Sequence, residues 1–182
     1  MGVPGSESSI IAGAAGQTSG GASFYDYQIE QSARFDASTP SYLRLASGSG
    51  NNDYWTFSCW FKTAALASGT SQEFLSSGTG GSSDSDTLLR IGLLDDSNGA
   101  IMRVNSGSTN IADSTAKFRD ASTWTHLVWS NSNGTTKVYA NGTEIASGTL
   151  DGGSGSCING SSAAHYISRT RNSDSSYVDG YL

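Results

Sequence analysis

From Phe24 onward, short apolar runs alternate with polar positions at a period of two, the signature of half-buried strands. In WTFSCWFK, Trp55, Phe57, Cys59 and Phe61 fall on one face, and Thr56, Ser58, Trp60 and Lys62 on the other. FYDYQIE, SARFDA, SYLRLA, EFLSSG, TLLRIGLL and AIMRVNS read as further extended segments, rich in aromatic and β-branched residues suited to a pleated surface. THLVWS is apolar on both faces and is expected to be a central strand covered on both sides.

Turn signals divide these runs. DDSNG links TLLRIGLL to AIMRVNS as a hairpin. Trp124–Gly148 contains two asparagine–glycine pairs, Asn133-Gly134 and Asn141-Gly142. Both central residues of a type I′ turn need positive φ, which Asn and Gly tolerate best. The segment therefore predicts a three-stranded meander. The best helix candidate, Ala64–Ala67, is weak, and none exceeds two turns. This many half-apolar strands bury their faces best as two packed sheets, giving an all-β antiparallel sandwich.

Composition narrows the picture. The 182 residues suffice for one domain with a real core, and 23 Gly with abundant Ser, Thr and Asn disfavour long helices. Only 14% of residues are charged, and the net charge of −6 argues against a nucleic-acid partner. The N-terminus lacks the basic and apolar regions of a signal peptide, and no run is long enough for a membrane span. Cys59 and Cys157 are read as buried thiols, with a single bridge as the alternative. Sequons occur at Asn133, Asn141 and Asn159, and turn chemistry explains the first two better than glycosylation does.

Residues 1–23 are mostly Gly, Ala and Ser, and cannot bury enough surface to offset their own ordering entropy. They are expected to form an extended arm ahead of a sandwich over residues 24–182. Ile10, Ile11, Phe24, Tyr25 and Tyr27 are the residues expected to hold a partner.

SARFDASTPSYLRL, WTFSCWFKT, LLRIGLLDDSNGAIMRVNSG, WTHLVWSNSNGTTKVYANGTEIASG and HYISRTRNSDSSYVDGYL, in this order, resemble the laminin-G-like, concanavalin-A-like jelly-roll family. The resemblance covers about residues 32–182 and implies a two-sheet jelly roll. AGAAGQTSGG followed by YQIEQSARFDASTPSYL is similar to the start of laminin-G-like proteins of marine tailed bacteriophages. That likeness implies a virion structural, decoration or fibre component. The family resemblance also implies that DGYL opens a closing strand beside the first strand. With the sequence stopping at Leu182, that slot is expected to be open, to be filled by further chain or by another polypeptide.

The same jelly roll hosts glycoside hydrolases, which need paired carboxylates. None of Glu7, Glu30, Glu73 and Glu144 is followed two residues later by an acid, and Glu30, Glu73 and Glu144 are expected to lie apart. His126 and His165 are the available bases for a triad, but no nucleophile-elbow sequence accompanies them. His126 is expected to be a satisfied, partly buried imidazole beside a Trp, and His165 an exposed residue just before a strand. The resemblance raises calcium, with Asp84, Asp86, Asp95 and Asp96 as candidates. DSDT and DDSNG carry no spaced ligand series, and read first as solvated turn acids. Trp55, Trp60, Trp124 and Trp129 could form a sugar-stacking platform but are read chiefly as filling between sheets, with Trp60, out of phase, expected either to pack under a loop or to face a partner.

The expectation is a non-enzymatic, virion-associated structural or decoration protein without cofactor. Its partners would be other virion proteins or copies of itself, without nucleic acid or membrane insertion. The alternative is an extracellular lectin module that binds surface glycans.

Overall fold

The computed structural model describes residues 32–46, 50–64, 71–78, 88–96, 99–150, 156–159, 163–171 and 175–182, all within one compact unit, Ser32–Leu182. Its strands are β1 (Arg34–Phe35), β2 (Leu43–Leu45), β3 (Tyr54–Thr63), β4 (Gln72–Gly78), β5 (Leu88–Asp96), β6 (Gly99–Ser106), β7 (Thr109–Asp113), β8 (Thr125–Ser132), β9 (Thr135–Ala140), β10 (Thr143–Thr149), β11 (Ala164–Ile167) and β12 (Gly180–Tyr181). A four-residue helix, α1 (Ser156–Asn159), precedes β11.

Two antiparallel six-stranded sheets form the sandwich, in the orders β1-β12-β3-β8-β9-β10 and β2-β11-β4-β5-β6-β7. The meander is β8-β9-β10, and both of its turns are two-residue loops. Asn133 and Gly134 sit at φ 49° and 84°, Asn141 and Gly142 at 50° and 81°, the doubly positive pattern of type I′.

The alternation in β3 places Phe61 in the core, with Trp55, Phe57 and Cys59 packed against it. Across the sandwich, Phe74, Leu89, Ile91, Met102 and Val104 meet Leu127, Trp129 and Val138, all fully buried. Each such side chain contributes about 1.5–3 kcal/mol through burial. Trp129 donates its indole N–H to Thr136 Oγ1 at 2.6 Å, and its ring lies edge-on to Trp55 with centroids 4.7 Å apart. The sheets approach closely at Gly148, where a Cβ would collide with the Ile111 carbonyl.

Three expectations are corrected. β8 is central, but its second face is only half-buried at His126, Val128 and Ser130, because no second layer among the described residues covers it. His165 lies inside β11 and is half-buried, not exposed ahead of the strand. DGYL does not leave the expected open slot where it begins: β12 inserts between β1 and β3, pairing Gly180 with Phe35 and Thr63, and Tyr181 with Arg34 and Lys62. Two Ala33–Leu182 backbone hydrogen bonds, each 3.0 Å, extend the β1–β12 ladder by one residue.

Every residue of β4 is buried, polar ones included. β11 and β5 flank it, and Ser168, Arg169 and Ser176 bond to its backbone and side chains. Glu73 N–H donates to the Ser176 carbonyl, Ser168 N–H to the Phe74 carbonyl, and Ser76 Oγ to the Arg169 carbonyl.

Candidate functional site

The outward residues of β3 and β8 build an aromatic surface on the first sheet. Trp60 pairs with His126 across the strands, and their rings stack at 4.9 Å with 24° between planes. His126 Nε2 shares a 2.9 Å hydrogen bond with Ser58 Oγ, which fixes the imidazole beneath the indole. Trp60 nevertheless remains 43% exposed. Trp124, 40% exposed, lies 6.1 Å from the Tyr181 ring.

Hydrogen-bonding groups border these rings. Asp120 accepts from Ser122 N, Ser122 Oγ and Thr123 Oγ1, and these bonds, with nearby Lys62, lower its pKa to about 2. Lys137 Nζ donates to Glu144 Oε2 at 2.8 Å, and the next row of the sheet brings Ser58, Val128 and Tyr139 into line with Glu144. Flat apolar ring faces edged by such groups match a pyranose, which has an apolar C–H face and a hydroxyl rim.

The second sheet carries a polar groove. Its pairing aligns Glu73, Gly92, Arg103 and Asp113 across β4 to β7. Arg103 holds Asp113 bidentately at 2.6 and 2.7 Å, and Asn110 adds a 2.9 Å bond to the same carboxylate. These bonds lower the Asp113 pKa and raise that of Arg103. Glu73 is buried, which pushes its carboxyl up to about 7 against the opposing pull of Arg90.

The sequence-level candidates disperse. Ile10, Ile11, Phe24, Tyr25, Tyr27, Glu7, Glu30, Asp84 and Asp86 lie outside the described residues, as do the side chains of Asp95, Asp96 and Cys157. Most of the Ala64–Ala67 stretch also falls outside them. Glu73 and Glu144 stand on different sheets. His126 is the satisfied, half-buried imidazole expected beside a Trp. His165 has its pKa lowered by burial, and its Nδ1 is buried without a hydrogen-bond partner. Cys59 is a free, half-buried thiol, and desolvation pushes its pKa up to about 12. Trp55 and Trp129 fill the space between sheets, while Trp60 and Trp124 do not. Among the described residues, no three His, Cys, Asp or Glu gather as a metal site, and no helix is long and apolar enough to cross a membrane. The Glu73–Arg90 pair was missed from sequence. Only Gly92, in the middle of an apolar strand, signals the close approach that occurs there.

The model of the concanavalin A-like lectin/glucanases superfamily matches residues 37–182. No curated protein matches the sequence. Among solved structures, domain 4 of AbnA, a GH43 extracellular arabinanase from Geobacillus stearothermophilus in complex with arabinotriose, is similar at 24% identity. That match covers 86% of this chain and 69% of that one, with a TM-score of 0.61. The CBM40 of the Ruminococcus gnavus IT-sialidase, bound to α2,3 sialyllactose, is 17% identical over 71% of this chain and 72% of that one, with a TM-score of 0.54. The enzymatically active domain of tailspike protein 2 from bacteriophage CBA120 is 15% identical over 81% of this chain and 23% of that one, with a TM-score of 0.59. At these identities the likeness is one of fold.

Proposed function

The chain belongs to the concanavalin A-like lectin/glucanase superfamily, and we propose that it is a non-enzymatic saccharide-binding module of a virion-associated protein. The observation that carries the binding role is Trp60, stacked on His126 yet 43% exposed. An indole fixed from one side offers its remaining surface to the C–H face of a sugar at little conformational cost. Relatives in fold bind arabinotriose and sialyllactose, which supports the same ligand class here.

The carboxylates support binding over hydrolysis. Glu73 and Asp113 lie three strand spacings apart, roughly 14 Å by backbone, and Asp113 is already held by Arg103. A retaining glycosidase places its two carboxyl groups about 5–5.5 Å apart.

The virion location rests on the Gly/Ala/Ser-rich residues 1–23 and their likeness to phage leaders. Occurrence of the same fold in a bacteriophage tailspike supports it. In that setting the sandwich faces outward, and residues 1–23 bind other virion proteins or further copies of the chain.

A glycan array followed by calorimetry tests the binding role. Trp60→Ala should weaken the best glycan at least about tenfold with the melting temperature unchanged. Absence of any bound glycan, or full affinity in Trp60→Ala, overturns it. Cross-linking and mass spectrometry of the native assembly test the location, which fails if the neighbouring chains are not virion proteins.

A further inference from the structure

The groove on the second sheet is a cavity of about 130 Å³ lined by Glu73, Arg90, Gly92, Arg103, Asn105 and Ser176 among others. The cations in it differ in how fully they are engaged. Arg103 has its fork occupied by Asp113 at 2.6 and 2.7 Å. Arg90 stands 3.8 Å from Glu73 Oε1, beyond hydrogen-bond reach, and its Nε is buried without a hydrogen-bond partner. A buried guanidinium donor left unmade is costly, and costs least when an acceptor from outside completes it.

Gly92 gives the pocket its floor. A Cβ there would collide with the Gln72 carbonyl and come within 2.8 Å of Glu73 Oε2. The bare backbone therefore lets the Glu73 carboxyl lie flat beside the cavity. We infer that this pocket binds the carboxylate of an acidic sugar, with Arg90 as its cation and Glu73 as the group that competes for that cation. Asn105 and Ser176 stand at the same cavity to meet ring hydroxyls. The site is on the sheet opposite Trp60 and is independent of that surface.

The competition makes the site pH-dependent. Burial pushes the Glu73 carboxyl up to about 7. Below that pH it is neutral, and Arg90 is left to the ligand. Above it, ionised Glu73 compensates Arg90 and repels a second carboxylate. The elements packed around Glu73 carry Arg90 on β5, Arg103 on β6 with Asp113 on β7, His165 and Tyr166 on β11, and Tyr177 and Asp179 in residues 175–179. His165 also titrates toward the acid side, its pKa lowered by burial, so the test has to separate it from Glu73.

Calorimetry with glucuronate, glucose, acetate and inorganic phosphate at about pH 5.5 and about pH 8 makes that separation. Glucuronate should bind at the lower pH, more tightly than acetate or phosphate, and lose at least about tenfold in affinity at the higher. Glu73→Gln should bind it at both pH values with the dependence gone, and Arg90→Gln should not bind it. Thermal melts check that each variant is folded, and if Arg90→Gln is not, Glu73→Gln decides alone. The proposal is overturned if glucuronate binds no better than glucose, acetate or phosphate. It is equally overturned if the pH dependence survives in Glu73→Gln, which would assign it to His165.

Discussion

Asn141 grips His126 across the sheet by two bonds. Its main-chain N–H donates to the His126 carbonyl at 2.8 Å, and its Oδ1 accepts the His126 N–H at 2.9 Å. The turn that reverses β9 into β10 therefore also fixes the backbone of the histidine on which Trp60 stacks.

Substitutions in this turn separate two effects. A Cβ on Gly142 would meet nothing within 4 Å, so Gly142→Val tests the φ of 81° alone. Its expected cost is about 1–3 kcal/mol in chemical denaturation. Asn141→Ala loses the Oδ1 bond as well as tolerance for positive φ, and should destabilise by about 1–2 kcal/mol. It should also weaken glycan binding by loosening His126, whereas Gly142→Val should change affinity less. Equal loss of affinity in both variants would contradict the role given to Asn141 Oδ1.

Gly180→Ala should be among the most damaging single-methyl additions in the chain. Gly180 adopts φ 150°, and its Cβ would land on the Lys62 carbonyl and 2.8 Å from Thr63 Cα. Because β12 joins β1 to β3, the expected loss exceeds about 2 kcal/mol, with faster proteolysis near the C-terminal residues. An unchanged denaturation midpoint would show that β12 contributes nothing to the sheet.

Thr136→Val keeps the shape of the core and removes the acceptor of the Trp129 indole N–H. Both residues are fully buried, so the orphaned donor should cost about 1–3 kcal/mol. Indole fluorescence should shift to the blue as its hydrogen bond is lost. A neutral change in stability would mean that the N–H finds another acceptor.

Stability should fall as pH rises through the window set by Glu73. The carboxyl titrates near 4.5 when unfolded and about 7 when folded. Between those values the folded chain holds the extra proton, so increasing pH favours the unfolded state; below about 4.5 and above about 7 the term is flat. The loss is on the order of 3 kcal/mol. Asp36, Asp113 and Asp120 act oppositely, since their lowered pKa values make stability fall as pH drops below about 4. The denaturation midpoint should therefore peak near pH 4–5. In Glu73→Gln the decline toward pH 7 should disappear, and its persistence would point to another group.

The features legible in the sequence were those whose cause is local. Asn133-Gly134 and Asn141-Gly142 are turns because four successive residues make them so, and no distant contact is needed. The inward set of β3 follows from a period of two in one strand, and Trp60 stands out as exposed because it breaks phase with the core face. The family order of the runs then fixed the two-sheet architecture.

What the tertiary structure decided depends on pieces far apart in the chain. EFLSSG reads as an ordinary strand, yet all of β4 is buried between β11 and β5, with Ser168, Arg169 and Ser176 bonded to it. Glu73 is one of four glutamates without a neighbouring acid; burial against Gly92 raises its pKa over the opposing pull of Arg90, and both of those residues belong to another strand. The pairing of DGYL joins Gly180 and Tyr181 to Arg34 and Phe35 on one side and to Lys62 and Thr63 on the other, all far earlier in the chain, and only the assembled sheet determines which slot it fills. Periodicity and turn chemistry act over a few residues, whereas desolvation and strand order arise only once distant segments share one core.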